Sequence, residues 1–279
     1  MSDAVASASS AQDFTHRYMP QFGKRVHRLG LSGNYGIDQA GLHAAIDQGL
    51  NYLAWTPGSR LYTGVVRDVV CRDRERFVIA SGPGSAYFGW QVRRGAEHAL
   101  KTLGVDYLDL YQLYWLGRLS AWTQGTIEAL LKLKEEGKVR AIGVSIHDRK
   151  RAGLLAEDSA LDLLMIRYNA AHPGAERDIF PHLARRKPAI VAYTATAWRK
   201  LLARPSGWDG PVASAGDCYR FCLSNPHVDV VLTAPANLTE LEQNLAALQK
   251  GPLSEDEQAW MRRLGQTVHG GLALPGAPT

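Results

Sequence analysis

The chain has 279 residues, of which 46% are hydrophobic and 21% charged, so it can bury a large core in one domain or two. The net charge of +5 comes from scattered basic residues, and no RNA-binding module or helix-turn-helix signature accompanies them. Apolar stretches fall far short of the ~20 residues that cross a bilayer, and the small, polar start does not resemble a signal peptide. We therefore expect a cytoplasmic protein without a nucleic-acid or membrane partner.

Short β-rich runs alternate with amphipathic helical runs from about residue 26 to residue 250. We predict a flexible leader over residues 1–22 and a single domain over residues 23–279. The predicted strands are Val26–Leu31, Tyr52–Trp55, Phe77–Ser81, Leu108–Tyr114, Ala141–Ser145, Leu163–Tyr168, Ala189–Tyr193 and Val228–Thr233. The predicted helices between them include Asp38–Gln48, Trp90–Leu103, Thr126–Glu136, Ala175–Arg186 and Ala213–Ser224.

The order of these elements predicts a fold class. Several strands are continuous apolar runs, which is typical of parallel strands buried on both faces. Strand-then-helix repetition predicts parallel pairing through right-handed crossovers. Eight such units favour a closed α/β barrel, the (β/α)₈ or TIM barrel, over an open doubly wound sheet. Asn237 and Glu240 are typical of a helix N-cap and an acidic first turn.

Three cysteines do not suggest a disulfide framework. Cys218 and Cys222 are four residues apart, which places both thiols on one helix face, yet few metal-ligating residues lie nearby in sequence. We predict that they are buried core cysteines and that the chain holds no metal.

In a barrel of this kind the active site lies where the strands end and the βα loops begin. Aromatic residues at these ends predict a pocket for a small organic substrate. Two histidines at strand ends, His147 and His172, are candidate acid or base catalysts because imidazole titrates near neutral pH. The catalytic candidates are Tyr114, His147 and His172, and the substrate-binding candidates are Tyr35, Trp55, Tyr87, Trp115, Asn169 and Arg199.

Several stretches, in order and spacing, resemble the aldo-keto reductase superfamily over nearly the whole chain. They are Arg28-Leu29-Gly30-Leu31, Gly49-Leu50-Asn51-Tyr52, Tyr107-Leu108-Asp109-Leu110-Tyr111, Gly137-Lys138-Val139-Arg140-Ala141-Ile142-Gly143-Val144-Ser145, Arg167-Tyr168-Asn169, Val191-Ala192-Tyr193 and Glu242-Gln243-Asn244-Leu245. The resemblance implies the same barrel and, for family members, reduction of carbonyls with NAD(P)H through an Asp, Tyr, Lys and His tetrad.

The four tetrad positions that the resemblance assigns hold other residues here. Ala54 stands for the aspartate, Ser59 for the tyrosine, Gly82 for the lysine and Tyr114 for the histidine. Tyr62, three residues after Ser59, is an alternative source of a phenol. A phenol with an ordinary pKa of ~10 and no neighbouring cation cannot run the usual proton relay.

Some of the cofactor-binding residues that the resemblance implies are also replaced. Ser145, Tyr193 and Asn244 match the family, and Asn237 lies beside the expected phosphate clamp, whereas Glu240 would repel a 2′-phosphate. The asparagine and glutamine that hold the nicotinamide carboxamide are replaced by Ile146 and Met165. These changes argue against NADP(H), leave NAD(H) possible, and favour no nicotinamide cofactor.

Three functions remain open from the sequence. The first is a redox-neutral enzyme that uses acid/base chemistry for a cyclisation, dehydration, isomerisation or hydrolysis. The second is an NAD(P)H-dependent carbonyl oxidoreductase whose proton donor has moved to Tyr114 or Tyr62. The third is a non-catalytic binding or regulatory barrel. The partners that we expect are a small-molecule substrate and, at most, a loose homo-oligomer of an otherwise monomeric chain.

Overall fold

A computed structural model describes residues 13–270 except residue 34. The strands are β1 His16–Met19, β2 Lys24–His27, β3 Leu29–Ser32, β4 Tyr52–Ala54, β5 Val78–Ser81, β6 Leu108–Leu113, β7 Val139–Ile146, β8 Leu163–Arg167, β9 Ala189–Tyr193 and β10 Val230–Thr233. The helices are α1 Gln39–Asp47, α2 Arg60–Arg72, α3 Gly89–Leu103, α4 Gln124–Glu135, α5 Arg149–Glu157, α6 Ala175–Asp178, α7 Ala215–Ser224, α8 Leu238–Leu248 and α9 Glu255–Gly270.

Eight parallel strands form a closed barrel in the order β10-β3-β4-β5-β6-β7-β8-β9, which confirms the predicted fold class. Side chains alternate between the two faces of each strand. On β8, Leu163 and Met165 pack in the barrel interior, whereas Leu164 and Ile166 pack against the surrounding helices. The carboxyl ends of all eight strands therefore meet at one end of the barrel, here called the mouth.

The other end of the barrel, here called the floor, is covered by an antiparallel hairpin of β1 and β2. Met19, Phe22 and Val26 from this hairpin pack on the interior side chains of the barrel strands. The prediction of a flexible leader over residues 1–22 is therefore wrong for residues 16–22, because their apolar side chains supply the barrel's floor. Residues 1–12 of the predicted leader lie outside the described residues.

The remaining element predictions agree with the structure apart from a few boundaries. Val26–Leu31 is divided at Arg28 between the hairpin and the barrel. The predicted helix over Ala175–Arg186 is instead the short α6 followed by a 3-10 turn, Phe180–Leu183, in which Pro181 cannot donate to a helical ladder. Cys218 and Cys222 are buried in the core, as predicted, and Cys71 is exposed.

Within residues 13–270, leaving out residue 34, no helix is both long enough and apolar enough to cross a membrane. The same part of the chain contains no cluster of three or more histidine, cysteine, aspartate or glutamate side chains with the geometry of a metal site.

Candidate active site

The principal cavity of the molecule has a volume of about 790 Å³ and opens at the mouth of the barrel. It extends from the interior side chains at the ends of β3, β4, β6 and β8 to the N-terminus of α7 and the first turns of α8. Its walls include Ser32, Tyr35, Ala54, Tyr114, Met165, Tyr193, Trp198, Arg199, Ser214, Gly216, Glu240, Gln243 and Asn244. The predicted site residues Tyr35, Tyr114, Tyr193, Arg199 and Asn244 thus share one cavity.

The four positions that the resemblance assigns to a tetrad now have defined surroundings. Ala54 and Tyr114 line the cavity. At Gly82 a Cβ atom would lie 2.0 Å from the Gln112 carbonyl oxygen and 2.8 Å from the Tyr114 ring, so the tyrosine occupies the space that a side chain at 82 would need. Ser59 caps α2 by accepting a hydrogen bond from the Tyr62 amide at 3.1 Å.

Tyr62 is not a proton donor at the mouth, which corrects one of the two sequence predictions. Its side chain is fully buried among core residues, and its hydroxyl donates to the Leu31 carbonyl at 3.0 Å. This bond keeps the phenol away from the cavity.

Tyr114 is the phenol that remains available at the mouth. It follows β6 and lies above Gln112, whose Oε1 atom is buried without a hydrogen-bond partner. Burial raises the pKa of Tyr114 to about 12, partly offset by a hydrogen bond with Gln112. The phenol is therefore protonated at neutral pH and is a weak acid.

A second polar group spans the mouth from β7 to β9. The Tyr193 hydroxyl lies 2.8 Å from Nε2 of His147, and the two rings meet edge to face at 5.7 Å. Trp115 packs against the other side of His147, with ring centroids 5.4 Å apart. Burial lowers the pKa of His147, and the charges of Arg167 and Arg118 lower it further, which keeps the imidazole neutral near pH 7.

Arg167, which belongs to the Arg167-Tyr168-Asn169 motif, ends β8 between these two residues and is not among the predicted site residues. It pairs in register with Tyr193, and the β7–β8 register places it beside His147. Strand alternation could have found it, because Arg167 is two residues after the interior residue Met165.

Three predicted site residues make structural contacts instead. Trp55 is completely buried in the outer core, where its indole N–H donates to Thr63 at 3.0 Å, so its predicted contact with substrate is wrong. Tyr87 is exposed and donates to the Arg118 carbonyl, which joins two mouth loops. Asn237 caps α8 by accepting from the Glu240 amide, as its motif predicted, and its predicted cofactor contact is not seen because it does not line the cavity.

Asn169 and His172 form a structural turn after β8. The Asn169 amide donates to the Thr194 carbonyl at 2.8 Å, and its carbonyl accepts from the His172 backbone at 2.9 Å. The His172 ring contacts Asn169 and His269, and neither Asn169 nor His172 lines the cavity. The predicted roles in substrate binding and catalysis are therefore not supported by their position. Ser145 is buried at the end of β7, below the His147–Tyr193 contact.

At the far end of the cavity one acid and one base face each other. Glu240 accepts a hydrogen bond from the Ala236 amide at 2.9 Å, and its other oxygen lies 3.7 Å from Arg199. Asn244 is buried and donates to Thr233 at 3.3 Å. This end of the cavity therefore has little net positive charge to offer an extra phosphate.

The loop after β9, which forms one wall of the cavity, has strained backbone. Thr194, Ala197, Trp198 and Arg199 all have positive φ, between 49° and 68°. A left-handed conformation costs a non-glycine residue about 1–2 kcal/mol, and such strain is concentrated at functional sites. This loop is therefore held in its shape by its surroundings rather than by local preference.

Comparisons with known proteins agree on the class of fold. Residues 81–204 match the model of the aldo/keto reductase family. An aldo-keto reductase from Klebsiella pneumoniae, solved with NADP and acetate, is 26% identical, with a TM-score of 0.68 over 90% of this chain and 96% of that one. The apo form of an aldo-keto reductase from Bacillus halodurans superposes with a TM-score of 0.73 at 21% identity, over 90% of this chain and 95% of that one, and supports the fold alone.

Curated relatives are matched over part of their length. The aldo-keto reductase YhdN of Bacillus subtilis is 26% identical over 54% of this chain and 50% of its own length. The NADH-specific methylglyoxal reductase of Escherichia coli is 29% identical over 36% of this chain and 31% of its own length. The chain thus spans half of the first relative and about a third of the second. Together with the fold, these matches show that the chain is similar to members of the aldo-keto reductase superfamily.

Proposed function

We propose that this protein is an NADH-dependent reductase of small carbonyl compounds, with Tyr114 as the relocated proton donor. The observation that carries the proposal is a single cavity that joins a protonated phenol at the barrel mouth to an acid-bearing groove beside α7 and α8. This is the second of the three functions that the sequence left open.

The residues of the groove suit a dinucleotide without a 2′-phosphate. Tyr193 presents an aromatic ring at the cavity wall, where the resemblance places the face that supports a nicotinamide. Arg199 offers a cation for phosphate oxygens, and Glu240 offers a carboxylate that can accept hydrogen bonds from ribose hydroxyls. Because Glu240 would lie against a 2′-phosphate, the same carboxylate favours NADH over NADPH. A bound nicotinamide cofactor would supply the hydride.

Tyr114 would supply the proton to the carbonyl oxygen. Its hydroxyl needs to be protonated before reduction, and a pKa of about 12 keeps it so throughout the neutral range. The missing neighbouring cation makes it a weaker acid than the family tyrosine, so slow turnover is expected. Reduction should be independent of pH between 6 and 9, whereas oxidation of an alcohol needs the phenolate and should accelerate as the pH rises.

The comparisons favour this function over redox-neutral chemistry. The curated relatives described above bear the names of reductases, and one of them is named as NADH-specific. The solved Klebsiella relative carries a nicotinamide cofactor. These names support an oxidoreductase function for the present chain.

The test is parallel fluorescence titration of the full-length protein with NADH and NADPH. We expect micromolar binding of NADH and binding of NADPH that is at least about tenfold weaker, since one unfavourable charge contact is worth about 1.4 kcal/mol or more. Glu240→Gln should reduce this difference in affinity between NADH and NADPH. Glu242→Gln, on the same helix but exposed and outside the cavity wall, is the matched control and should leave it unchanged. Absence of binding by both nucleotides would overturn the proposal.

A further inference from the structure

The end of β8 places a cation at the rim of the mouth, next to the cavity-lining residues Met165 and Tyr193 but outside the cavity wall itself. Leu163 and Met165 point into the barrel interior, and the two-residue period of a strand brings Arg167 to the same side at the mouth. Arg167 is half-buried. It makes no hydrogen bond or ion pair with any residue in the described ranges, 13–33 and 35–270.

The first acids that follow the carboxyl ends of β7 and β8 are already engaged. Asp178 accepts from Arg149 at 2.9 Å and from Arg177. Glu176 accepts from the Tyr168 hydroxyl at 2.6 Å and from Arg262. Asp148 caps α5. Burying a cation without a partner costs free energy, so a counter-charge from outside the protein would be favoured here.

Neutral hydrogen-bonding groups surround this arginine. The Tyr193 hydroxyl and Nε2 of His147 are 2.8 Å apart and connect the ends of β9 and β7, the two strands that flank β8. Both side chains therefore lie beside Arg167 at the end of β8. Arg118 stacks on Trp115 at 5.0 Å and adds a second positive charge to the same side of the mouth. The charge of Arg167 also lowers the pKa of His172 and of Tyr193, so its guanidinium lies near both of these side chains.

We propose that Arg167 binds a carboxylate on the substrate, with the His147–Tyr193 pair as neighbouring hydrogen-bonding partners. The proposal rests on the reductase function above and gives it a substrate class: carbonyl compounds that also carry a carboxylate. A guanidinium matches a planar carboxylate with two parallel hydrogen bonds. Tyr114 follows β6, two strands from β8, so the proton donor and the cation are separated by about 10 Å of barrel wall. This separation suits a carbonyl and a carboxylate held apart by a ring or a short chain.

The test compares 4-carboxybenzaldehyde with its neutral analogue 4-carbamoylbenzaldehyde. Calorimetric titration of the full-length protein should show that the acid binds at least about tenfold more tightly than the amide. Arg167→Gln should abolish this difference, and Arg167→Lys should retain part of it because charge remains without the two-pronged geometry. Arg177→Gln is the matched control, since Arg177 is exposed and already paired with Asp178, and it should leave the ratio unchanged. Thermal unfolding of each variant checks that it is folded.

The outcomes separate the two proposals. Arginine-dependent binding of the acid without NADH oxidation would support the carboxylate site and overturn the reductase. Equal reduction of both aldehydes by the native protein and by Arg167→Gln would support the reductase and overturn the carboxylate site. Tighter binding of inorganic phosphate than of 4-carboxybenzaldehyde would also overturn the carboxylate site.

Discussion

The two ends of the barrel treat charge in opposite ways. At the floor, Lys24 and Asp109 are almost completely buried and lie 2.8 Å apart, and Asp109 also accepts from Arg74 and from the Ile79 amide. At the mouth, Arg167 has no acid partner among the residues of the described chain, and the Gln112 Oε1 atom is buried without a hydrogen bond. Both ends contain buried polar atoms without a hydrogen-bond partner, Arg74 Nε at the floor and Gln112 Oε1 at the mouth, so the difference between them lies in charge: the floor pairs its buried cations with an acid, whereas Arg167 at the mouth is left for a ligand.

Backbone strain shows the same division. Of the six non-glycine residues with positive φ in the described chain, five lie in mouth loops, and Lys187 lies in a loop at the floor. Floor loops otherwise place glycine at such positions, as at Gly49 and Gly137. The comparison indicates that the floor is selected for stability and the mouth for binding, as expected for the two ends of this fold.

Asp109→Asn should have the largest effect, because it removes the fully buried acid that Lys24 and Arg74 share and leaves Lys24 only the exposed Glu75 at 3.8 Å. We expect the free energy of unfolding to fall by about 3–5 kcal/mol, measured by urea denaturation. Asp68→Asn removes an exposed carboxylate paired with Arg72 and should cost less than about 0.5 kcal/mol. If Asp109→Asn also weakened NADH binding in the folded fraction, the separation between the two ends would be wrong.

Tyr114→Phe should have the opposite effect at the mouth, a large loss of activity with little loss of stability. Removal of a general acid lowers kcat by about 10²–10⁴-fold, while the loss of one hydroxyl in an open cavity should change stability by less than about 1 kcal/mol. Steady-state kinetics with NADH and 4-carboxybenzaldehyde, alongside thermal unfolding, measures both. Tyr18→Phe, at an exposed position of the floor hairpin, is the control. Unchanged kcat in Tyr114→Phe would exclude Tyr114 as the proton donor.

The sequence predicts the strands of the barrel well but does not predict the hairpin at the floor. The barrel follows from apolar strands that alternate with amphipathic helices, and every one of its strands is found close to its predicted position. The hairpin was missed because His16–Met19 is a short polar-looking run whose partner, β2, had been merged with the first barrel strand. Strand pairing between segments so close in sequence depends on the turn at residues 20–23, which no apolar periodicity marks.

Within the mouth, the residue type was a weaker guide than strand register. Tyr114 and Tyr193 were found because they end strands in the correct phase. Trp55 was misplaced by the same aromatic criterion, because it leaves β4 toward the helices, where its indole meets Thr63. Arg167 was in the correct phase, but a charged residue at a strand end is usually solvated. Its missing acid partner is a tertiary property that a sequence does not display.

Acid should weaken the floor more than the mouth. Burial lowers the pKa of His27 to about 4 from 6.5, and its Nδ1 atom accepts from the Leu29 amide at 3.0 Å, which requires the neutral ring. Between pH 6.5 and 4, His27 is protonated in the unfolded chain but stays neutral in the folded chain. The free energy of unfolding therefore falls as the pH falls. The loss should total about 2–3 kcal/mol and be absent above pH 7.

His27→Asn should flatten this dependence, measured as urea midpoints from pH 7.5 to 4.5, because its amide oxygen retains an acceptor for the Leu29 amide. The pKa of His172 at the mouth is also lowered to about 4. Its ring is half-exposed, so solvent screens it and His172→Asn should flatten the curve much less. If the two substitutions reduced the pH dependence of stability equally, this dependence would not arise mainly from the buried histidine at the floor.

The smallest effects should come from relieving strain at each end. Lys187→Gly places glycine at an exposed position with φ of 51°, and Arg199→Gly does so at φ of 68° in the cavity wall. Each should raise the free energy of unfolding by about 0.5–1 kcal/mol, since the relieved left-handed strain exceeds the entropy that glycine adds to the unfolded chain. The two variants should differ in NADH affinity, because Arg199 lines the cavity and Lys187 does not. Weaker NADH binding in Arg199→Gly, together with unchanged binding in Lys187→Gly, would mean that residue 199 contributes to ligand binding at the mouth, whereas residue 187 at the floor does not.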